Sequence, residues 1–493
     1  MGVATAKQII VVVCGFILPR NMLVYYGSTI NGLVSSITHF LGFISLLELG
    51  VGSVVQSNLY KPLANNDESQ ISRVVVSSER FFRRLALIFL AYIAVLFFVY
   101  PLAINSSYDF LFTASLLLII SISTFAQYFF GMTYQLLLNA DQKAYLQNGL
   151  QIITVILNTA LAIVLMKLGI SVHIVKLVTA AVFVIRPLGQ ALYVKRHYNL
   201  NKKIVLTEEP IKQKWNGLSQ HLASVVTNNV DVVLLTFFST LNNISVYNVY
   251  HMVTNGVTQI IMMAATGIES LFGNMYAKGE KELLNKTFSA IEFFVHTAVM
   301  IIFTIAAVSV VPFVMVYTRD ITDTNYSEPV FGIILVVAYA SQCLRIPYFR
   351  MIKAAGRFKE TQNGAFISMG LNIVISIALI FPFGLIGIAI GTLIAMFFHT
   401  IYFVWYLRKH ILHRTAFIFI KYLCSDAIIM VGSYLLTRFL DSNCLNYYEW
   451  ILYALKCAGI VIGLCIVISA LFHFREMKDG FTFIKKMRRV PTN

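Results

Sequence analysis

Gln147-Asn148-Gly149 returns 215 residues later as Gln362-Asn363-Gly364, and Gly169 returns at the same spacing as Gly384. Each copy of the triplet lies where a short charged loop meets a long apolar segment. Self-similarity at one long period indicates a duplicated unit. The unit here is a bundle of apolar segments, and transporters built from such repeats bind their substrate near the repeat interface. The repeat therefore favours a transporter.

The composition identifies the solvent of these segments as a lipid bilayer. The chain of 493 residues is 58% hydrophobic and only 12% charged, whereas soluble proteins carry roughly 25% charged residues. A membrane helix needs about 20 apolar residues. Fourteen segments meet this length, near 8–25, 31–57, 85–104, 111–138, 145–167, 173–194, 218–239, 245–272, 288–317, 330–350, 364–383, 385–407, 418–437 and 449–473. We predict an all-α polytopic membrane protein with about 14 transmembrane helices.

The distribution of basic residues predicts the orientation of these helices. With the N-terminus inside, 30 of the 38 Lys and Arg residues fall in inside loops or the tails, and three fall outside. Basic residues are enriched in cytoplasmic loops. We therefore expect both termini to be cytoplasmic, and the net charge of +16 needs no nucleic acid to explain it.

The repeat divides the chain into five predicted regions. Residues 1–194 form one six-helix lobe and 218–410 a second, and the stretch 195–217 is a cytoplasmic connector. Because each lobe has an even number of helices, the two are parallel repeats. Residues 411–473 contribute two appended helices without a counterpart. The tail 474–493 is basic and aromatic, which is typical of a segment on anionic lipid or of a plain disordered tail.

Several function classes do not fit the sequence. A membrane glycan polymerase or transferase needs a sizeable extracytoplasmic loop, and the longest outside loop, near 318–329, has about a dozen residues. The chain lacks a GxxxxGK[ST] motif for ATP hydrolysis, and its cysteines have no metal-ligand spacing. We expect no enzyme activity, no metal and no cofactor beyond an H⁺ or Na⁺ gradient.

Three arginines in membrane segments lie beside prolines. Arg20 follows Pro19, Arg186 precedes Pro187 and Arg345 precedes Pro347 by two residues. Charges at the bilayer centre are costly and mark functional sites. Proline bends or breaks a helix and frees backbone groups that can line a cavity, so we expect a helix break beside each of these arginines. Because arginine binds phosphate through a planar fork, we predict that the three converge on an anionic substrate. Snorkelling to the interface is the alternative for Arg186 and Arg345. Lys176 and Lys456 are interpreted as interfacial anchors.

Acids and amides inside the membrane form a second group. Asn228 and Asp231 share one helix face by their spacing, and such a pair can bind sugar hydroxyls, take up a proton or cation, or hold helices together. Glu48 and Glu269 lie near glycines at the inner ends of the second helix of each lobe. They are candidates for a gate, or for ordinary helix contacts.

Several motifs carry a resemblance to a known family. Leu18-Pro19-Arg20, Tyr25-Tyr26-Gly27-Ser28, Asn31-Gly32-Leu33, Leu47-Glu48-Leu49-Gly50, Leu59-Tyr60-Lys61-Pro62-Leu63, Asn229-Val230-Asp231 and Val246-Tyr247-Asn248-Val249-Tyr250 resemble the bacterial polysaccharide-unit (O-antigen or capsule) flippases. The similarity covers most of residues 8–410. That family belongs to the multidrug/oligosaccharidyl-lipid/polysaccharide superfamily, which has a MATE-like, V-shaped fold of twelve helices.

The resemblance implies that the protein moves an undecaprenyl-diphosphate-linked oligosaccharide across the bacterial inner membrane by alternating access. It implies Arg20 as the diphosphate contact, Asp231 as a sugar or coupling-ion site, and polysaccharide polymerases and glycosyltransferases as partners. Two extra C-terminal helices are similar to those of lipid II flippases, where they hold the lipid tail. A lipid II flippase and a cation-coupled multidrug exporter of the same fold are the alternatives, and the latter predicts an acidic cavity.

Overall fold

The computed structural model describes residues 2–48, 50–104, 108–202, 204, 218–415, 417–474 and 476–478, and within these ranges the chain consists of helices joined by turns and loops. The predicted connector beyond Lys202, apart from Ile204, and the predicted lipid-binding tail beyond Lys478 lie outside the described residues. The first eight helices are α1 Gly2–Gly42, α2 Val51–Ala64, α3 Glu68–Ala103, α4 Phe110–Ala126, α5 Met132–Ala140, α6 Ala144–Lys167, α7 Val172–His197 and α8 Leu218–Phe238.

The remaining helices are α9 Leu241–Ala264, α10 Ile268–Ala277, α11 Lys281–Tyr317, α12 Pro329–Leu344, α13 Ile346–Ala354, α14 Phe358–Phe383, α15 Leu385–Leu407, α16 Phe417–Thr437 and α17 Tyr447–Phe472. Within the described residues, twelve helices are long and apolar enough to cross a membrane. One of these is Val3–Glu48, whose backbone leaves helical geometry at Gly27 (φ 79°, ψ 174°), inside the predicted turn between helices one and two. The helix α9 is not among these twelve but matches the predicted eighth helix. The all-α polytopic fold is therefore confirmed.

The chain divides into two compact units, Met1–Ser245 and Val246–Asn493. Polar contacts tie α8 and the start of α9 to α1 in the first unit, since Ser36 and Thr236 hydroxyls lie 2.6 Å apart and Asn31 Nδ2 donates to Ser245 Oγ at 2.8 Å. This division follows packing, whereas the predicted lobes 1–194 and 218–410 follow the sequence repeat. The lobe boundaries therefore stay a prediction.

The internal repeat is visible in the backbone of each unit. Gly169 (φ 71°) links α6 to α7, and Gly384 (φ 55°), 215 residues later, links α14 to α15. A positive φ strains every residue with a side chain, which explains why glycine stands at both positions. Gly50 (φ 72°) and Gly267 (φ 91°) likewise end the second membrane helix of each unit and start the short helices α2 and α10. The duplicated sequence thus specifies the same turns twice.

The start of the connector lies against the first unit. Tyr198, just after α7, donates a 2.5 Å hydrogen bond to Asp141 in the turn between α5 and α6, and Lys143 pairs with the same carboxylate at 2.8 Å. Burial and the Asp141 carboxylate raise the pKa of the Tyr198 phenol to about 12. The phenol therefore stays protonated and remains a donor at any physiological pH, which holds the exit of α7 in place.

Candidate functional site

The first unit contains a cavity of about 510 Å³ between α1, α4, α7 and α8. Its volume is in the range of small-molecule binding sites. Apolar side chains form much of the wall, and the polar groups that interrupt it are Thr38, Ser45, Ser123, Thr124, Tyr128, Lys176, Thr179 and Asn229. Hydroxyl and amide groups beside one cation suit a ligand that combines hydroxyl groups with negative charge.

Lys176 supplies the cation of this cavity. It lies in the second turn of α7, with Thr179, Ala180 and Phe183 on the same cavity-facing side. Lys176 makes no hydrogen bond or ion pair with any residue that the structure describes. An ammonium group in a membrane protein is costly unless an anion or water compensates it. The side chain assigned to the interface from sequence therefore lines the cavity and is placed to bind an anion.

Asn229 is the amide that reaches the cavity. His39 Nδ1 donates to Asn229 Oδ1 at 3.0 Å, and Asn229 Nδ2 donates to the carbonyl of Val225 at 2.7 Å. Of the predicted pair on this helix, Asn228 is exposed while Asp231 is buried, and their role as a joint site stays a prediction. One residue of helix rotation, about 100°, thus decides which of two adjacent asparagines lines the cavity.

Glu48 lies beside the cavity, at the end of a 3₁₀ turn that follows α1. Tyr128 donates a short hydrogen bond to Glu48 Oε1, and His221 is close enough to act on the carboxylate electrostatically. The His221 ring also donates at 2.7 Å to the carbonyl of Ser45, a cavity residue. Acid, phenol and imidazole therefore form one cluster at the cavity wall.

A π-helical turn over Gln127–Gly131 carries Tyr128. Such turns insert one extra residue into an α-helix and are frequent at functional sites. The space beside Gly131 is filled by Pro187, which lies so close that a side chain at Gly131 would overlap it. Neither Tyr128 nor the turn was predicted, because a π turn has no periodic signature in the sequence.

Two of the predicted arginines belong to the first unit. Arg186 Nη2 donates to Thr154 Oγ1 at 3.2 Å, its guanidinium lies 5.5 Å from the ring centre of the cavity residue Phe183, and its buried Nε has no partner. Arg20 is half-buried on α1. The predicted helix breaks beside them are wrong, because α1 and α7 continue through Pro19 and Pro187. Membrane helices tolerate proline where neighbouring groups satisfy the freed backbone.

The other predicted residues belong to the second unit. Arg345 lies between α12 and α13, so the predicted break before Pro347 is confirmed, and its guanidinium lies 5.9 Å from the ring centre of Phe403. Glu269, in the first turn of α10, accepts from Arg350 at 3.0 Å and Lys353 at 3.1 Å on α13. The predicted convergence of three arginines involves both units and stays a prediction.

Metal-ligating side chains do not cluster in the described ranges: no group of three or more His, Cys, Asp or Glu residues there is placed to hold a metal ion.

Solved structures match this fold over nearly its whole length. The lipid II flippase MurJ, in an inward closed conformation, matches with a TM-score of 0.69 and 16% identity, over 96% of this chain and 98% of that chain. An inward-facing MATE multidrug transporter of the MOP superfamily gives a TM-score of 0.58 and 14% identity over 83% and 96%. The chain therefore shares the fold of MurJ and of the MATE transporters.

A third match is the Vibrio cholerae MATE transporter VcmN, with a TM-score of 0.55 and 12% identity over 84% of this chain and 100% of that chain. No protein-family model and no curated protein sequence matches the chain. The match to MurJ leaves 4% of this chain uncovered. That share is smaller than the appended helices α16 and α17, which contain 21 and 26 residues. The match to the lipid II flippase therefore extends into the appended helices.

Proposed function

We propose that this protein is a flippase that moves an undecaprenyl-diphosphate-linked oligosaccharide from the cytoplasmic to the outer leaflet of a bacterial inner membrane. The cavity of the first unit carries the proposal. It combines the unpaired cation of Lys176 with hydroxyl and amide groups, and these are the groups that a diphosphate and a sugar require. Arg20, Arg186 and Arg345 are further candidates for the diphosphate.

The alternating-access movement would expose this site to each leaflet in turn, driven by an H⁺ or Na⁺ gradient. Asp231, Glu48 and Glu269 are the candidates for ion coupling or gating, and the cluster of Glu48 with Tyr128 and His221 makes Glu48 the strongest of the three. The excess of basic residues in the inside loops supports cytoplasmic termini. Glycosyltransferases and a polysaccharide polymerase would supply and consume the substrate.

A lipid II flippase is the second candidate, and one observation favours it. The structural match to MurJ covers 96% of the chain, whereas the MATE transporters cover 81–84%. A multidrug exporter for cations is less well supported, because an unpaired lysine in the cavity repels a cationic drug.

The test replaces Lys176 by Gln and, separately, Arg20 by Ala in the chromosomal gene. We expect Lys176→Gln to lower surface polysaccharide about 10- to 100-fold, since a hydrogen bond to a charged group contributes about 1.5–3 kcal/mol, while the lipid-linked unit accumulates inside. Lys176→Arg keeps the charge and should retain most activity. Lys456→Gln, at an exposed position of α17, is the matched control.

Three readouts separate the candidate functions. Accumulated lipid-linked oligosaccharide supports the proposal, accumulated lipid II with growth arrest supports the second candidate, and loss of resistance to cationic dyes supports drug export. Unchanged surface polysaccharide in folded Lys176→Gln and Arg20→Ala proteins would exclude both residues from the diphosphate site.

A further inference from the structure

The second unit contains a buried cluster of ionisable side chains at the junction of α11 with the appended helices α16 and α17. His296 of α11 lies with Nδ1 3.0 Å from Asp426 Oδ2 of α16. Tyr422, one turn earlier on α16, stacks on His296 with ring centres 4.6 Å apart and on His473, directly after α17, at 4.4 Å. All four side chains are buried. The cluster therefore joins three helices through groups that can change charge.

The hydrogen bonds determine where the protons lie. A carboxylate only accepts, so His296 Nδ1 carries a hydrogen and donates it to Asp426; in the neutral ring, Nε2 then bears a lone pair. Ser425 Oγ lies 2.8 Å from His473 Nε2 and also within reach of the carbonyls of Lys421 and Tyr422. Because carbonyls cannot donate, Ser425 donates to them and accepts from His473 Nε2. His473 Nδ1 is then also a lone pair.

Both lone pairs lack a donor. Within the described part of the chain, His296 Nε2 and His473 Nδ1 are buried without a hydrogen-bond partner. Both rings line a cavity of about 10 Å³, which is close to the space one water molecule needs. A buried acceptor without a donor is unfavourable, and so is a buried carboxylate whose partner is neutral. A proton on His296 Nε2 removes the lone pair of that atom and gives the Asp426 carboxylate a charged partner.

Among the residues that the structure describes, the neighbouring charges do not neutralise the cluster. Lys421 pairs with Glu476 at 3.1 Å, and Glu292, one turn before His296 on α11, pairs with Arg414 at 2.6 Å. Each of these pairs is balanced internally. The thiol of Cys465 on α17 faces the same cavity and is uncharged in its protonated form. With both histidines neutral, the net charge of −1 on Asp426 therefore remains.

We infer that the His296–Asp426 pair is a proton-binding site, and that its occupancy determines how firmly α16 and α17 pack against α11. A proton on His296 converts a buried single charge into a neutral imidazolium–carboxylate pair, which is the less costly state in a low-dielectric interior. Loss of the proton leaves the carboxylate uncompensated and loosens the junction. Histidine is the side chain that makes such an exchange near neutral pH.

The site belongs to the part of the chain that the repeat does not explain. Helices α16 and α17 have no counterpart in the duplicated unit, yet Asp426 of α16 bonds to His296 of α11 and the Tyr422 ring stacks on the same histidine. A metal ion is a less suitable ligand, since the described residues offer no set of three ligating side chains. The His296–Asp426 pair is therefore better suited to a proton than to a metal ion.

Native cysteines report on the junction in the full-length protein. Cys465 is 2% exposed and lines the cavity, whereas Cys424 is exposed on α16. The protein in lipid nanodiscs is treated with N-phenylmaleimide between pH 5.5 and 7.5, and mass spectrometry gives the alkylation rate of each cysteine. Well below its pKa, each thiol has a tenfold larger thiolate fraction for every added pH unit. The ratio of the Cys465 alkylation rate to the Cys424 alkylation rate therefore removes this general effect of pH.

The wild-type ratio should rise with pH, by at most about tenfold per pH unit because one proton is involved. Asp426→Asn mimics the proton-occupied state, so its ratio should stay low at every pH. His296→Gln cannot bind the proton and should also remove the rise. His173→Gln, which alters a histidine bonded to Ser115 in the first unit, should keep the wild-type slope, and buried Cys343 must stay unlabelled throughout.

A wild-type ratio that does not change with pH overturns the inference, as does a wild-type slope retained in both Asp426→Asn and His296→Gln. If Asp426→Asn does not fold, His296→Gln decides alone. The measurement needs no substrate, so its result is independent of the proposed flippase activity.

Discussion

Tyr134 on α5 donates a 2.6 Å hydrogen bond to Glu79 on α3. Lys202, in the segment that follows α7, donates to the same carboxylate at 3.0 Å and to the Tyr134 hydroxyl at 2.7 Å. An acid, a phenol and a cation from three separate elements thus hold the chain where it leaves the sixth membrane helix of the first unit.

The second unit repeats this arrangement 212–214 residues later in the sequence. Tyr348 on α13 donates to Glu292 on α11, and Arg414, in the segment that follows α15, donates to Glu292 at 2.6 Å. In both constellations a tyrosine and a cation donate to one glutamate at corresponding positions, although the cation is a lysine in one and an arginine in the other. The duplication has therefore retained a polar joint as well as the helix pattern.

The two joints should differ in strength because they differ in burial. The Glu292 side chain is 1% exposed and Arg414 17%, whereas Glu79 is 13% and Lys202 53% exposed. Arg414→Ala leaves a buried carboxylate uncompensated and should cost about 3–5 kcal/mol, while Lys202→Ala should cost less than about 1 kcal/mol. Thermal unfolding of both variants in the same detergent measures the difference.

The second substitution Glu292→Gln checks the reason for that loss. Combined with Arg414→Ala it removes the unpaired charge, so the double variant should regain more than half of the lost stability. A double variant as unstable as Arg414→Ala alone would show that the packing of Arg414 on the Phe288 ring, and not its charge, is what matters.

The repeated glycines of the Gln-Asn-Gly triplets should respond oppositely to alanine. A Cβ at Gly149 meets nothing within 4 Å, whereas a Cβ at Gly364 would overlap the Tyr402 ring. Gly149→Ala should stabilise the protein by up to about 1 kcal/mol through helix propensity. Gly364→Ala should destabilise it by about 1–3 kcal/mol. Unfolding midpoints of the two variants test this, and equal midpoints would contradict it.

The phenol of Tyr128 should stabilise the Glu48 carboxylate. Tyr128→Phe removes the hydrogen bond and leaves a half-buried acid with less compensation, which should cost about 1–3 kcal/mol and lower transport. Tyr145→Phe, at an exposed position without a bond to an acid, is the control. If Tyr128→Phe has wild-type stability and transport, the Glu48 cluster has no part in the cycle.

The substitution Glu269→Gln should distinguish a role in gating from a role in the stability of the fold. The Glu269 side chain is 36% exposed and pairs with Arg350 and Lys353, so Glu269→Gln should cost less than about 1 kcal/mol of stability. If the pairs between α10 and α13 form a gate, the same variant lowers the transport rate several-fold. Loss of stability together with transport would instead identify an ordinary helix contact.

The helices, their order and their turns were predictable because these depend on local properties of the chain. Apolar length predicts a membrane helix, and the predicted segments leave Gly169 and Gly384 between helices, where the backbone turns with positive φ. The site was less predictable. Intramembrane charge drew attention to Arg20, Arg186 and Arg345. The same criterion applied to Lys176, but its position near the outer end of the predicted helix favoured an interfacial anchor.

The amino-acid sequence alone determined the class of fold, the repeat and the expected orientation, since hydropathy and basic residues can be counted along one chain. Only the tertiary structure decided that Asn229 rather than Asn228 reaches the cavity, that Tyr128 meets Glu48, and that His296 meets Asp426. The physical reason is that these contacts join helices far apart in sequence. Which face each helix presents follows from packing and from a single π-helical turn, and no local pattern specifies either.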